Sequence, residues 1–342
     1  MKVKIFGLGK QGSAVAYAMN KLGYDVFVYE QAESCFEVAK KRLAKLGCNV
    51  IQDDSNSKDF NVIVSCLPYS CNIPIATFAA KNRIPYCDLG GNPAISKQII
   101  DIGKEHGSLT FPDLGLAPGL INIVAADLVK TNKNLSLLVG GLPMEPEGRL
   151  QYAQVFSIDG LYNEYVGEDK IVVNGKVKTV KTLSDVRTYY FKETKEIKYP
   201  YLQGAYTKGG LGNSLDDFIA HGVENYEYRT LRNTNHFDYI SFLLNDCKLN
   251  EQEFKKVIEA ACPETKKDCV MMGIKSGEKL WGQLVVYDDK WTAMQKTTAF
   301  PAAVVANLIA QGKVNSSSYF DIPFQEFKID LEKLGILLDP FN

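Results

Sequence analysis

The sequence predicts an α/β protein with a Rossmann-type, doubly wound parallel sheet and a second, mixed α+β domain. Three observations predict it: a strand–glycine–helix fingerprint at the start, strand and helix patterns alternating to about Phe111, and a change to hairpins beyond about Lys133. Met1–Phe6 reads as a short apolar strand running into Gly7-Leu-Gly9-Lys10-Gln11-Gly12 and then a helix over Ser13–Leu22. In such a turn Gly7 permits the reversal, Gly9 admits a close backbone approach, and Gly12 lets helix and strand pack closely. The free N–H groups at the helix start favour an anion such as a pyrophosphate.

The next elements follow in order. Asp25–Tyr29 is a strand, Ser34–Leu46 an amphipathic helix, Asn49–Gln52 a short strand and Val62–Ser65 a buried one. Ile73–Lys81 is helical, Ile84–Cys87 a strand, Ile95–His106 a helix and Leu109–Phe111 a strand. Alternation at this spacing implies a parallel sheet wound with helices. Later, Leu135–Gly140, Tyr152–Ser157, Ile171–Val173 and Val177–Val180 read as strands, the last two joined at Asn174-Gly175, a pair that tolerates positive φ. Val270–Lys275 and Lys279–Tyr287 form another hairpin through Ser276-Gly277. An apolar helix over Thr298–Ala310 has Pro301 near its start, where proline is tolerated. This helix is expected to return to the first domain, giving a dinucleotide-binding domain at 1–118 completed by 292–342, and a substrate and oligomerisation domain at 119–291.

At 342 residues, two domains are expected. With 46% hydrophobic and 23% charged residues the chain can build a substantial core. A net charge of −1, with Lys and Arg spread evenly, argues against nucleic acid or a membrane surface as the main partner. No signal peptide and no bilayer-length apolar run is read. The 8 cysteines lack Cys-x-x-Cys spacing and fit thiols of a reducing cytoplasm; the 3 histidines lack ligand spacing, and no metal is expected.

Glu30 ends the second strand, eighteen residues after Gly12, where a carboxylate can accept from both adenosine ribose hydroxyls and repel a 2′-phosphate. No arginine follows it, so NAD is expected over NADP. Three further loops end strands and can approach a flat cofactor: Ser65 to Tyr69 with Cys66, Leu67 and Pro68, Asp88 to Asn92 with Gly90, and Asp113 to Gly119 with Leu116 and Pro118. In the second domain Arg232 can hold a carboxylate bidentately. His236, four residues on, belongs to the residue type that titrates in the range useful for proton transfer. The bland alternative for His236 is a helix N-terminal residue with a satisfied ring, and for Glu164 a surface carboxylate.

A set of motifs appears in order: Asp88-Leu-Gly-Gly-Asn92, Gly115 to Asn122, Gly140-Gly-Leu-Pro143, Val155-Phe-Ser with Gly160-Leu-Tyr-Asn-Glu-Tyr165, Thr230-Leu-Arg232 with His236, and Thr297 to Ala303. Together they resemble the saccharopine dehydrogenase-like superfamily, most of all its lysine 6-dehydrogenase branch. The resemblance implies a nicotinamide cofactor in the cleft of a Rossmann domain and a substrate domain, chemistry at a carbon–nitrogen bond, an amino-acid or amine substrate, and a homo-oligomer, at least a dimer. Two departures stand out: Asn235 replaces the family's glycine before the histidine, and Ser214-Leu-Asp-Asp217 lacks a proline after its leucine.

The reaction expected is NAD-dependent oxidative deamination of lysine at its ε carbon, with the carbon held about 3–3.5 Å from the nicotinamide. The loop Leu116 to Gly119 and Asn122 are assigned to positioning and Arg232 to the carboxylate. His236 or Glu164 manages the proton, with Tyr152 a further candidate. A reductive coupling of an aldehyde with an amino acid, as in saccharopine reductase or carboxynorspermidine synthase, is the second enzymatic reading, with Arg149 and Lys208 as extra anchors. A non-catalytic NAD-binding sensor or assembly subunit is the reading from another class.

Overall fold

The computed structural model describes residues 1–146, 148–191, 201–277, 279–287 and 290–338; the end of the returning segment expected at 292–342 lies outside them. By packing, the chain forms two units. Unit 1 contains Met1–Asp127, Gly212–Ser214 and Gln295–Leu337, and unit 2 contains Leu128–Leu211, Leu215–Met294 and, of the described residues that follow, Leu338.

Unit 1 opens with β1 (Lys2–Phe6), α1 (Lys10–Lys21), β2 (Asp25–Tyr29), α2 (Glu33–Lys45), β3 (Val50–Gln52) and β4 (Val62–Ser65). It continues with α3 (Asn72–Lys81), β5 (Tyr86–Asp88), α4 (Pro93–His106), β6 (Thr110–Phe111) and α5 (Leu120–Leu128). The strands lie in the order β3-β2-β1-β4-β5-β6, every pair parallel. Both faces of such a sheet are covered, so its central strands need apolar residues throughout; Val62, Ile63 and Val64 are all fully buried. Strand order reverses between β1 and β4, which sets their carboxyl ends side by side at the switch point where ligands bind this architecture. The helices obey local rules. Asn92 caps α4 by accepting from Ala94 N and Ile95 N, Pro93 takes the first turn, and Gly107 closes the helix at φ 60°.

Unit 2 is built on β7 (Asn134–Pro143), α6 (Ile158–Tyr165), β8 (Glu168–Val173), β9 (Lys176–Lys181), β10 (Arg187–Tyr190) and β11 (Tyr201–Tyr206). It adds α7 (Leu215–Ala220), β12 (Asn225–Arg232), α8 (His236–Ser241), α9 (Glu251–Ala261), β13 (Asp268–Ser276) and β14 (Lys279–Tyr287). The path β10-β11-β12-β7-β13-β14 is mixed: β12 and β7 run parallel, the other neighbours antiparallel, and β8 pairs with β12 and β9. The β8–β9 turn has Asn174 at φ 50° and Gly175 at φ 70°, the conformation that pair predicts. Helices α6, α8 and α9 share one apolar cluster, in which Leu161, Phe237, Phe254 and Ile258 are almost wholly buried. Asn250 and Glu253 form a reciprocal capping box at the start of α9.

Two expectations need correction. Tyr152–Ser157 is not a strand. Gln154 bridges only Glu264, donating its N–H to Pro263 O at 3.1 Å and accepting from Thr265 N at 3.2 Å. The apolar residues that suggest a strand there face the helices instead: Tyr152 is buried in the same cluster and Phe156 packs against it. The last apolar helix, α10 (Ala293–Ala310), begins before Thr298, so Pro301 lies inside it rather than in its first turn. Its start is fixed by a distant residue: buried Asp268 accepts from Ala293 N at 2.7 Å and Met294 N at 2.9 Å. Unit 1 ends with α11 (Phe324–Lys333), whose Phe327 and Leu331 are fully buried.

Asp268→Ala removes both acceptors from the first turn of α10 and is expected to lower stability by about 1–2 kcal/mol, with Asp268→Asn intermediate. Urea unfolding midpoints check this; an unchanged midpoint in the alanine variant would show that the helix start is held by other means.

Candidate active site

The glycine turn between β1 and α1 has the shape its sequence predicts. Gly7 sits at φ 87° and donates its N–H to Tyr29 O at 2.9 Å. A Cβ on Gly12 would lie 1.9 Å from Gly7 O, so only glycine allows helix and strand to come this close, whereas a Cβ on Gly9 would meet nothing within 4 Å. Gly9 therefore faces open space, which a side chain would fill and a pyrophosphate can occupy. Helix α1 has no side-chain cap and no acidic residue in its first turn, so its dipole is left to an external anion. Gln11 Oε1 is buried without a hydrogen-bond partner among the described residues, a polar atom left over beside the same turn. Lys10 O is held by Gln295 Nε2 at 2.7 Å.

Glu30 lies where β2 ends. Its Oε2 accepts from Leu8 N at 2.8 Å and its Oε1 from Ala32 N at 3.1 Å, so the loop backbone fixes the carboxylate beside the turn while each oxygen keeps a further lone pair. Cys66 follows β4, and Leu67 Cδ2 comes within 2.9 Å of a Cβ built on Gly7. Pro68 is exposed. These residues fit the adenosine and pyrophosphate portions of a dinucleotide.

The two remaining loops of unit 1 are tied together by buried acids. Asp88 accepts from Gly90 N at 2.7 Å and Tyr86 Oη at 2.9 Å; burial nevertheless raises its pKa from 3.8 to about 6. Asp113, in the left-handed region at φ 66°, accepts from Ser96 Oγ at 2.7 Å. Burial, with the Asp88 charge adding to it, raises Asp113 to about 7 against that hydrogen bond. The Leu116 to Gly119 loop turns back on itself, with a cis bond before Pro118, and buried Asn122 accepts from Gly119 N at 2.8 Å through Oδ1. Asn122 thus holds the loop it was expected to accompany.

In unit 2, four of the expected residues meet around one that was not expected. Arg232, at the end of β12, is 2% exposed. Its Nε donates to Tyr165 Oη at 2.9 Å, its Nη1 to Leu231 O at 2.9 Å and its Nη2 to Glu164 Oε2 at 3.3 Å. Its guanidinium lies 5.1 Å from the centre of the Tyr152 ring. His236 opens α8 fully buried, with Nδ1 2.8 Å from Leu150 O and Nε2 3.0 Å from Tyr165 Oη. Burial first and the Arg232 charge second lower its pKa from 6.5 to about 3, so the ring is neutral at ordinary pH. Glu164 keeps 27% of its side chain exposed, and burial raises its pKa from 4.5 to about 7 despite Arg232. Tyr152 is buried, its ring edge-on to His236 at 5.3 Å. Arg149 and Lys208 are exposed; the Lys208 N–H donates to Glu164 O at 2.9 Å.

Sequence reasoning passed over Tyr165 and the Asp88–Asp113 pair. Tyr165 adjoins Glu164 on α6, but its partners stand 67 and 71 residues away. Both departures noted in the sequence find local explanations. Asn235 sits at φ 69°, a conformation asparagine tolerates almost as glycine does, and Asp216 and Asp217 occupy the first turn of α7, where the helix dipole favours them. Among the described residues, no group of three or more His, Cys, Asp or Glu side chains could hold a metal ion, and no helix is long and apolar enough to cross a membrane.

A dinucleotide-type Rossmann unit and a mixed-sheet unit carrying a buried arginine–carboxylate site define a dehydrogenase-like α/β protein. The model of the saccharopine dehydrogenase C-terminal domain matches residues 115–322, and the chain belongs to that family. Among solved structures it resembles saccharopine dehydrogenase (L-Glu forming) from Saccharomyces cerevisiae, with a TM-score of 0.73 and 14% identity over 98% of each chain. It also matches a probable dehydrogenase from Thermotoga maritima at a TM-score of 0.45 and 9% identity, covering 100% of this chain and 96% of that one. Of these two likenesses only the first is close enough to define the fold.

Because Asp88 and Asp113 have raised pKa values in the folded state, that state binds more protons than the unfolded one between pH 3.8 and about 6 or 7. Their contribution to stability is therefore lost as pH rises through that window. Asp113→Asn, which tolerates the same φ, is expected to flatten the fall in urea midpoint between pH 5 and pH 8; an unaltered slope would sink this assignment.

Proposed function

We propose that the chain is a nicotinamide-dependent oxidoreductase acting on the carbon–nitrogen bond of an amino acid. One observation carries the reading. Glu164, with a pKa near 7, stands 3.3 Å from the buried cation of Arg232, on a chain whose other unit carries a glycine turn of the dinucleotide-binding type. Arg232 takes a substrate carboxylate, since two of its five N–H groups have no partner among the described residues. Glu164 takes a proton from the substrate ammonium, leaving a nitrogen lone pair that assists departure of hydride. A base with a pKa near neutrality is well matched to that task. When bound, the dinucleotide supplies the hydride acceptor. The Gly7–Gly12 turn binds its phosphates, and Glu30 accepts from its ribose hydroxyls, which favours NAD over NADP.

Two substrate readings stand, and one distance discriminates between them. Groups held by Arg232 Nη2 and Glu164 Oε2 at 3.3 Å separation lie close together, as the nitrogen and carboxylate of a single α-carbon do. This favours a reaction at the α-nitrogen, as in reductive coupling of an oxo acid with an amine and its reverse. Deamination of lysine at the ε carbon, which the sequence resemblance suggests, places the reacting nitrogen at the far end of the side chain and requires a proton acceptor other than Glu164.

The test follows NADH at 340 nm with L-lysine, other amino acids and N-substituted amino acids in one direction, and paired oxo acids and amines in the other. Turnover with lysine alone supports ε deamination, and turnover with paired oxo acid and amine supports coupling. Dinucleotide binding with silence on every substrate would leave a sensor and remove the proposal. Glu164→Gln is expected to lower kcat by about 10²–10⁴-fold with a smaller change in KM. Glu30→Ser should shift the ratio of kcat/KM values toward NADP, and an unchanged ratio would show that Glu30 does not read the ribose.

A further inference from the structure

The buried side chains behind Arg232 form a chain of hydrogen bonds whose directions can be deduced. Leu150 O can only accept, so the His236 Nδ1 beside it at 2.8 Å must carry a proton. In a neutral ring that leaves a lone pair on Nε2, which must accept from Tyr165 Oη at 3.0 Å. With its proton committed to His236, the Tyr165 oxygen presents lone pairs to Arg232 Nε–H at 2.9 Å. Each link fixes the next, and the last fixes the Nε–H on the same edge of the guanidinium as the Nη2–Glu164 contact. A second proton on His236 would reverse the middle link, turn the Tyr165 hydroxyl proton away from its acceptor and set a cation beside Arg232.

We infer that Tyr165 is a positioning residue that aims the Arg232 guanidinium, and that His236 serves as a fixed neutral acceptor setting the sense of the Tyr165 hydrogen bond rather than as a proton shuttle. The surroundings hold this state from every side. Tyr152 and Phe237 pack edge-on to the imidazole at 5.3 and 5.7 Å, the Tyr165 ring lies 5.9 Å away, and among the described residues Glu164 is the one carboxylate bonded to Arg232. Burial supports the assignment, since the ring would have to take up its proton out of water and near a guanidinium. The inference rests on the proposed function only for its kinetic consequence; the hydrogen-bond chain itself is a property of the ligand-free protein.

The experiment has two arms. In the ligand-free protein, ¹⁵N-resolved NMR of the histidine rings, with His236 identified by its loss in His236→Gln, should show a proton on Nδ1, none on Nε2 and no titration from pH 5 to pH 9. The Arg232 Nε–H should exchange slowly and lose that protection in Tyr165→Phe. A titrating His236, a proton on Nε2, or unchanged protection in Tyr165→Phe overturns the inference, whether or not any substrate is known. In the kinetic arm, Tyr165→Phe should raise KM for the carboxylate-bearing substrate by about ten- to a hundred-fold, well beyond its effect on kcat. His236→Gln, which can still donate to Leu150 O and accept from Tyr165, should retain more activity than His236→Phe and keep the wild-type pH profile. Equal inactivity of the two variants, or loss of one limb of the profile in His236→Gln, would make His236 a proton carrier and overturn the inference. Absence of turnover in the wild type removes the proposed function alone and leaves the NMR arm to decide.

Discussion

Unit 2 takes a guanidinium out of water, and much of its local architecture answers the need to keep that charge solvated by protein. Breaking such an arrangement from one side costs about 3–5 kcal/mol, because the remaining charge stays buried. Arg232 meets the need with the end of its own strand through Leu231 O, with α6 through Glu164 and Tyr165, and with the face of Tyr152. His236 completes the set by accepting from Tyr165 while its other nitrogen is held by Leu150 O. Helix α6, the start of α8 and the Leu150–Tyr152 segment thereby converge on the end of β12. The result is a permanent cation at Arg232 beside a carboxyl, Glu164, whose pKa burial raises to about 7.

Unit 1 rests on steric constraint where unit 2 rests on charge. The contact between Gly12 and Gly7 leaves no room for a side chain, while Gly9 opens to space. Glu30 is fixed by two backbone amides from the loops that it borders. The turn and the carboxylate are thus shaped mainly by elements close in sequence, with Leu67 and Gln295 the more distant contacts.

That difference explains what could be read in the sequence. The β1–α1 turn, the parallel alternation and the Asn174-Gly175 hairpin are governed by neighbours within a few residues, and all were legible. The start of α10 depends on Asp268, 25 residues earlier, so a reading of Pro301 as a first-turn residue had local sense and was overruled by a distant carboxylate. Tyr152–Ser157 has an apolar pattern because it covers helices α6 and α9, and it lacks the ladder that would make it a strand. The candidate site was half legible. Arg232, Glu164 and His236 stood out by chemical type, but the neutrality of His236 and the place of Tyr165 arise from contacts made only in the folded chain. The capping box of Asn250 and Glu253 was readable and passed over.

The chain crosses between its units after Asp127, around Gly212–Ser214, after Met294 and again after Leu337. Neither unit is therefore a cassette. No single cut of the sequence releases the first unit whole, because α11 and most of α10 belong to it yet follow Leu215–Met294 of the other unit. Recombination that exchanges one half of the gene would break both units at once. For a chain of this connectivity, either unit can be exchanged whole only by an event with several crossovers.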